Sequence, residues 1–168
     1  MAIRKAAASI GGWLQSAMNI VILTGQRRED VTRMKFSDVV DGQLFVTQST
    51  TGHKLALPVT LHLEKVGLNV ENVIENCRNG NPSNNLIYSS VRKGGRKAGP
   101  VMPDAMTSAF ADARELSGIQ FGPNPPIFHE IRSLASRLFG VENGEDFAQR
   151  YLGHKNFAMT KKYFDSRG

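Results

Sequence analysis

Apolar and polar positions divide this chain into a helical opening, a short stretch of strand-like alternation and a helical end. Apolar residues at 13, 14, 17, 18, 20, 21 and 22 predict a helix over Trp13 to Leu23, buried on most of its surface. Thr24-Gly25 supplies its stop. A second short helix is predicted over Arg28 to Met34, and the pattern gives little helix ahead of Trp13. The period changes from Asp41-Gly42 onward. Leu44-Phe45-Val46 and Leu55-Ala56-Leu57-Pro58-Val59 read as strands, joined by a hairpin turn at Thr50-Thr51-Gly52. Leu61 to Arg78 reads as helix interrupted near Gly67, residues 79–85 as a loop, and Leu86-Ile87-Tyr88 as a short strand. Pro103-Asp104 opens a helix that Gly118 closes, and Phe121 to Pro126 is a proline-rich connector. Three helical segments follow, His129 to Phe139, Glu145 to Leu152 and roughly Asn156 to Phe164. The expected fold is mainly α with a small antiparallel β-sheet, an α+β arrangement, without repeats or a low-complexity linker.

Composition changes this picture little. With 168 residues, 40% hydrophobic and 21% charged, the chain is long enough for one domain with a real core. Charge adds more: a formal +6 and a sequence pI of about 9.7 favour a polyanionic partner. The single cysteine, Cys77, excludes a disulfide framework, fits a reducing compartment and reads as a packing residue in a helix. His53, His62, His129 and His154 lack metal-ligand spacing, so no metal site is expected. The N-terminus has no apolar signal-peptide core, and no stretch is long enough to span a bilayer. Asn19 to Leu23 reads as buried helix, no membrane partner is expected, and the expected location is the cytoplasm.

The polar residues of the last third carry the chemistry. On a helix at about 100° per residue, Ile131, Leu134, Ala135, Leu138 and Phe139 share one face. His129 falls nearly opposite and Arg132 on the flank, so both are expected to project away from the core, beside a helix N-terminus that favours anions. Arg27 follows the helix-ending Gly25, and Asp30, one turn on, is placed to hold it. His154 ends Tyr151-Leu152-Gly153-His154, and Tyr163 lies in Lys161-Lys162-Tyr163-Phe164 near the C-terminus. Each residue has an ordinary reading too: a solvated helix face, a surface ion pair, a helix-end cap, a packed ring. Together they suit a phosphodiester. A phenol with a pKa of about 10 needs activation before it attacks phosphorus. Two guanidiniums would stabilise phenolate and the charge that builds on the non-bridging oxygens. His154 would donate to one of those oxygens and His129 would accept the tyrosine proton. The basic, glycine-rich run Arg92-Lys93-Gly94-Gly95-Arg96-Lys97 does not match a nucleotide-binding loop. It is either a solvated loop or one that touches a nucleic-acid backbone.

In this order and spacing the motifs resemble the tyrosine recombinases of the phage integrase family. The stretches that carry the resemblance are Trp13 to Met18, Thr24-Gly25-Gln26-Arg27, Met34 to Asp38, Phe128-His129-Glu130-Ile131-Arg132-Ser133-Leu134, Phe147-Ala148-Gln149, Leu152-Gly153-His154-Lys155 and Tyr163. The resemblance spans nearly the whole chain. It implies Arg27 and Arg132 as catalytic arginines, His129 as the histidine of the His-x-x-Arg box, His154 at the later His/Trp position and Tyr163 as nucleophile. Asp30 matches the acidic support of the first arginine, and Lys155, with Arg92, Lys93, Arg96 and Lys97, is expected to contact DNA. The implied activity is cleavage and rejoining of attachment-site DNA through a 3′-phosphotyrosyl intermediate, without metal or nucleotide. The implied assembly is a homotetramer on two paired sites for a full-length protein, with a monomer expected for this chain. The sequence reads as an isolated catalytic domain over 1–168, with DNA-binding domains and a C-terminal tail expected elsewhere. One position departs from the family: Thr50 stands where the hairpin lysine that protonates the leaving 5′-oxygen belongs. Lys54, beyond the turn, and less readily His53, are the nearby substitutes; otherwise the acid step is impaired. Two other functions stay open, a catalytically silent DNA-binding remnant and a type IB topoisomerase-like relaxing activity.

Overall fold

The computed structural model describes residues 1–90 and 97–152. Its centre is helix α2 (Gly12–Thr24), preceded by α1 (Ala2–Ile10) and followed by the short α3 (Arg28–Arg33). Leu14, Ala17, Met18, Ile20, Val21, Ile22, Leu23 and Thr24 of α2 are all buried, more than one helix face can supply. The reason is that α2 touches neighbours on several sides: α1, α4 (Val70–Arg78), α5 (Pro103–Leu116) and α6 (Glu130–Asn143). Each fully buried aliphatic side chain of this kind contributes about 1.5–3 kcal/mol. Helix α1 is a correction to the sequence reading. Its sequence, Ala-Ile-Arg-Lys-Ala-Ala-Ala-Ser-Ile, is alanine-rich, with only Ala7 fully buried, so the apolar signal is thin although helix propensity is high.

The three-stranded antiparallel sheet comprises β1 (Val39–Val40), β2 (Gln43–Thr47) and β3 (Lys54–Pro58), in that order. Asp41 and Gly42 both adopt positive φ, as a tight turn between β1 and β2 requires. Alternation is plain in β2: Leu44 and Val46 face the core, and Gln43, Phe45 and Thr47 face out. The predicted helix over Leu61 to Arg78 forms only in its second half, as α4. The first half is a small ribbon of β4 (His62–Leu63) and β5 (Leu68–Asn69) around one turn of 3-10 helix. Gly67 sits at positive φ there, and the Asn69 side chain caps α4 by accepting from the Asn72 N–H at 3.2 Å. The predicted strand at Leu86 to Tyr88 shifts to β6 (Tyr88–Ser89), paired with β7 (Gly99–Pro100); Leu86 and Ile87 are core residues ahead of it. Cys77 is buried on α4 as expected, and burial pushes its thiol up to about 11.

Helices α6 and α7 (Glu145–Tyr151) form the C-terminal pair of the described chain. Phe139, Phe147 and Tyr151 join them, with ring centroids 4.8–6.0 Å apart. The Tyr151 hydroxyl is buried without a hydrogen-bond partner among the described residues, and burial pushes its pKa upward. The segment predicted as helix over Asn156 to Phe164 lies outside the described residues.

Candidate active site

The site begins at the α2–α3 junction. Gly25 takes the left-handed conformation at φ 62° and ends α2, its N–H donating to the Val21 carbonyl. Glycine is required here for a second reason: a Cβ would lie 1.7 Å from Leu152 Cδ2. The chain then turns through Gln26 into extended Arg27, which starts α3 by accepting from the Asp30 and Val31 N–H groups at 3.0 and 2.9 Å. Arg27 Nη1 is buried and makes no hydrogen bond among the described residues. Its neighbour Arg28 is engaged elsewhere, donating to Glu29 at 2.7 Å and to Thr107, which fastens α3 to α5. Burial alone would raise the Glu29 carboxyl. The Arg28 hydrogen bond and charge, with a smaller contribution from His129, hold it below the usual range instead.

The Asp30 carboxylate is engaged by the hairpin. No ion pair joins it to Arg27 among the described residues; Oδ1 accepts the Ser49 backbone N–H at 2.7 Å. Asp30 therefore ties the β2–β3 hairpin to α3, while its Oδ2 is buried without a hydrogen-bond partner among the described residues.

His129 and Arg132 come from the start of α6. Arg132 corrects the sequence reading, because it is 1% exposed rather than projecting into solvent. The flank of α6 is covered by the end of α7, where the Leu152 carbonyl accepts from Arg132 Nη2 at 3.5 Å. His129 stays at the solvent edge. Partial desolvation, then the charges of Arg132 and Arg27, lower its pKa, opposed by Glu29. The three groups therefore share one electrostatic neighbourhood. The first amides of α6 are not available to an anion: Glu130, Ile131 and Arg132 N–H donate to Ile127, Phe128 and His129 carbonyls. Anion affinity here must come from side chains.

The hairpin supplies the third wall. Gln48 follows β2 in the inward phase of Leu44 and Val46, and is 1% exposed. Its Nε2 donates to Gln26 Oε1 at 2.8 Å and to the Leu152 carbonyl at 3.2 Å, while its Oε1 accepts from Thr51 at 2.8 Å. Gln26, fully buried, donates back to the Thr24 carbonyl at 2.8 Å. An unpaired buried amide costs about 1–3 kcal/mol, so this closed set is worth keeping intact. The sequence reading missed Gln26 and Gln48. The signal was present, since Gln48 continues the two-residue period of the buried strand positions. Thr50 and His53 are exposed at the turn. Lys54 opposes Thr47 in the register and so shares the outward side of the hairpin with Phe45 and Ala56, away from Gln48.

Structure thus brings Arg27, His129 and Arg132 together, with Asp30 bonded to the hairpin and Lys54 exposed on the hairpin face opposite Gln48. His154, Tyr163, Lys155, Arg92, Lys93 and Arg96 lie outside the described residues; Lys97 is exposed. No helix among the described residues is long and apolar enough to cross a membrane.

A helical domain with a small antiparallel sheet, gathering two arginines and a histidine in this chain order, defines a class, and the sequence matches that class over residues 1–168. The chain belongs to the phage integrase family. It is 41% identical over 168 residues to an integrase of Escherichia phage HK022, covering 100% of this chain and 45% of that protein. It therefore spans under half the length of that relative. Among solved structures it resembles a lambda integrase (75-356) dimer bound to a COC′ core site, with TM-score 0.90, 39% identity and coverage of 99% of this chain and 57% of the other. It also resembles a lambda integrase tetramer bound to a Holliday junction, with TM-score 0.90, 38% identity and coverage of 99% and 46%.

Proposed function

We propose that residues 1–168 act as the catalytic domain of a site-specific tyrosine recombinase that cleaves and rejoins double-stranded DNA at phage attachment sites. The observation that carries this reading is the convergence of Arg27, whose buried Nη1 has no partner among the described residues, with His129 and Arg132. Such a cluster suits one phosphate. The guanidiniums neutralise the non-bridging oxygens, and His129, whose lowered pKa favours the neutral imidazole, accepts a proton. Tyr163 Oη attacks phosphorus, a tyrosyl–phosphate bond forms, and the bond to the 5′-oxygen breaks, leaving that oxygen to be protonated. His154 donates to a non-bridging oxygen. Lys155 and the basic run Arg92, Lys93, Arg96 and Lys97 meet the DNA backbone, with salt-sensitive affinity. The assembly on DNA is a homotetramer over paired sites, as in the lambda integrase tetramer bound to a Holliday junction. The protein works in the cytoplasm of a bacterial host, at the nucleoid.

The test is a denaturing gel of this chain incubated with nicked attachment-site DNA. A covalent protein–DNA band that disappears in Tyr163→Phe, with DNA binding retained, is the expected result; no band from the parent, or an undiminished band from the variant, refutes the proposal. A second reading, a DNA-binding domain without cleavage activity, is favoured by one observation: the hairpin carries Thr50 at its tip and Lys54 on its outward side. That reading requires DNA binding with no covalent band.

A further inference from the structure

We propose that Gln48 is a positioning residue for strand cleavage, one amide that sets the spacing of both arginines and of the segment leading to His154. This rests on the cleavage function proposed above. One hydrogen bond of the Gln48 side chain reaches Gln26, the residue immediately before Arg27, at 2.8 Å. The other reaches the Leu152 carbonyl at 3.2 Å, the same oxygen that accepts from Arg132 Nη2 at 3.5 Å. Leu152 is two residues ahead of His154. The Gln48 side chain thus joins the segment that bears Arg27 to the carbonyl oxygen that Arg132 also uses.

Every polar atom of the amide has a defined role. Nε2 uses both hydrogens, Oε1 accepts from Thr51, and the backbone N–H and C=O pair with His53 and Gly52 across the turn. The pair Gln26–Gln48 is buried, at 0% and 1% exposure, so water does not replace it. An amide with both its hydrogens and its oxygen engaged admits few other placements. The hairpin is also pinned from outside by the Ser49 N–H donating to Asp30 Oδ1, at 2.7 Å. Any rotation of the hairpin that breaks the Asp30 contact therefore strains the Gln48 contacts, and hence the oxygen that Arg132 uses. Cleavage depends on sub-ångström placement of these groups, whereas initial DNA binding depends on distributed phosphate contacts.

The experiment measures covalent-adduct formation by this chain in single turnover at saturating nicked DNA. The substrate carries a 5′-bridging sulfur at the scissile phosphate, so that the leaving group needs no acid. DNA affinity and thermal unfolding are measured in parallel for Gln48→Met, Gln48→Glu and the double variant Gln26→Met/Gln48→Met. Adduct formation is expected to fall on the order of 10- to 100-fold in all three, with DNA affinity unchanged. The double variant replaces two facing amides with two apolar chains and is expected to recover unfolding temperature without recovering rate. Recovery of rate together with stability in the double variant overturns the proposal, as does parental adduct formation in Gln48→Met or Gln48→Glu. If Gln48→Met does not fold, the double variant decides by the same criterion. A parent chain that gives no Tyr163-dependent adduct overturns the cleavage function itself, and this inference with it.

Discussion

His129 gains its chemistry from its neighbours. Partial desolvation and the charges of Arg132 and Arg27 lower its pKa below the ordinary 6.5, so the folded site prefers neutral imidazole. The unfolded chain then binds the proton more tightly. The stability contributed by neutral His129 is present above pH 6.5 and is lost as pH falls through the lowered value. Thermal unfolding between pH 7 and pH 5 should therefore fall more steeply for the parent than for His129→Gln. Equal slopes would show that the folded site does not lower the His129 pKa. The helix pattern correctly placed His129 away from the apolar face of α6. It misjudged Arg132, because a helical wheel separates core from outside, and only packing of α7 decides that one outside flank is covered.

At the scale of the element, the β2–β3 hairpin is the least conventional part of the site. Its strands and turn were legible from alternation and from Thr50-Thr51-Gly52. Its functional face was not, because the side on which Lys54 lies depends on register, and register is a tertiary pairing. Lys54 faces outward and Thr50 carries no acid of suitable pKa, so protonation of the leaving 5′-oxygen should limit cleavage. Thr50→Lys should raise adduct formation on ordinary nicked DNA by on the order of 10²–10⁴-fold, the usual range for general acid catalysis. It should give little gain on DNA with a 5′-bridging sulfur, since a thiolate leaves without a proton. An equal gain on both substrates would show that the lysine acts on binding, and no gain would remove Thr50 as the missing acid position. The false helix at Leu61 to Val66 belongs to this scale too. Apolar residues there suit either a helix or a ribbon, and the pairing of β4 with β5 chose the ribbon.

Across the whole molecule, the site is a seam between an N-terminal layer, built on α2, and the C-terminal pair α6 and α7. Gly25 and Leu152 meet at that seam. Gly25→Ala would set a methyl group 1.7 Å from Leu152 Cδ2 and force a left-handed φ on alanine. The seam should open, with a stability loss of about 1–3 kcal/mol from displaced packing and strain and a fall in adduct formation. Denaturant unfolding of Gly25→Ala against Leu152→Ala measures this. The double variant should be less destabilised than the sum of the two single losses, because removing the Leu152 branch makes room for the new methyl. Additive losses would show that the two residues do not meet.

The sequence by itself determined the helices with strong apolar periods, the hairpin and the basic balance. These follow from local periodicity, turn chemistry and side-chain type, which act over a few residues. Tertiary structure alone decided that Arg132 is buried, that Asp30 accepts a hydrogen bond from the hairpin, that Lys54 faces outward, and that Gln26, Gln48 and the Leu152 carbonyl form one closed set. Those outcomes depend on which distant segments exclude water from one another, and a buried polar group takes whatever partner that packing leaves within reach.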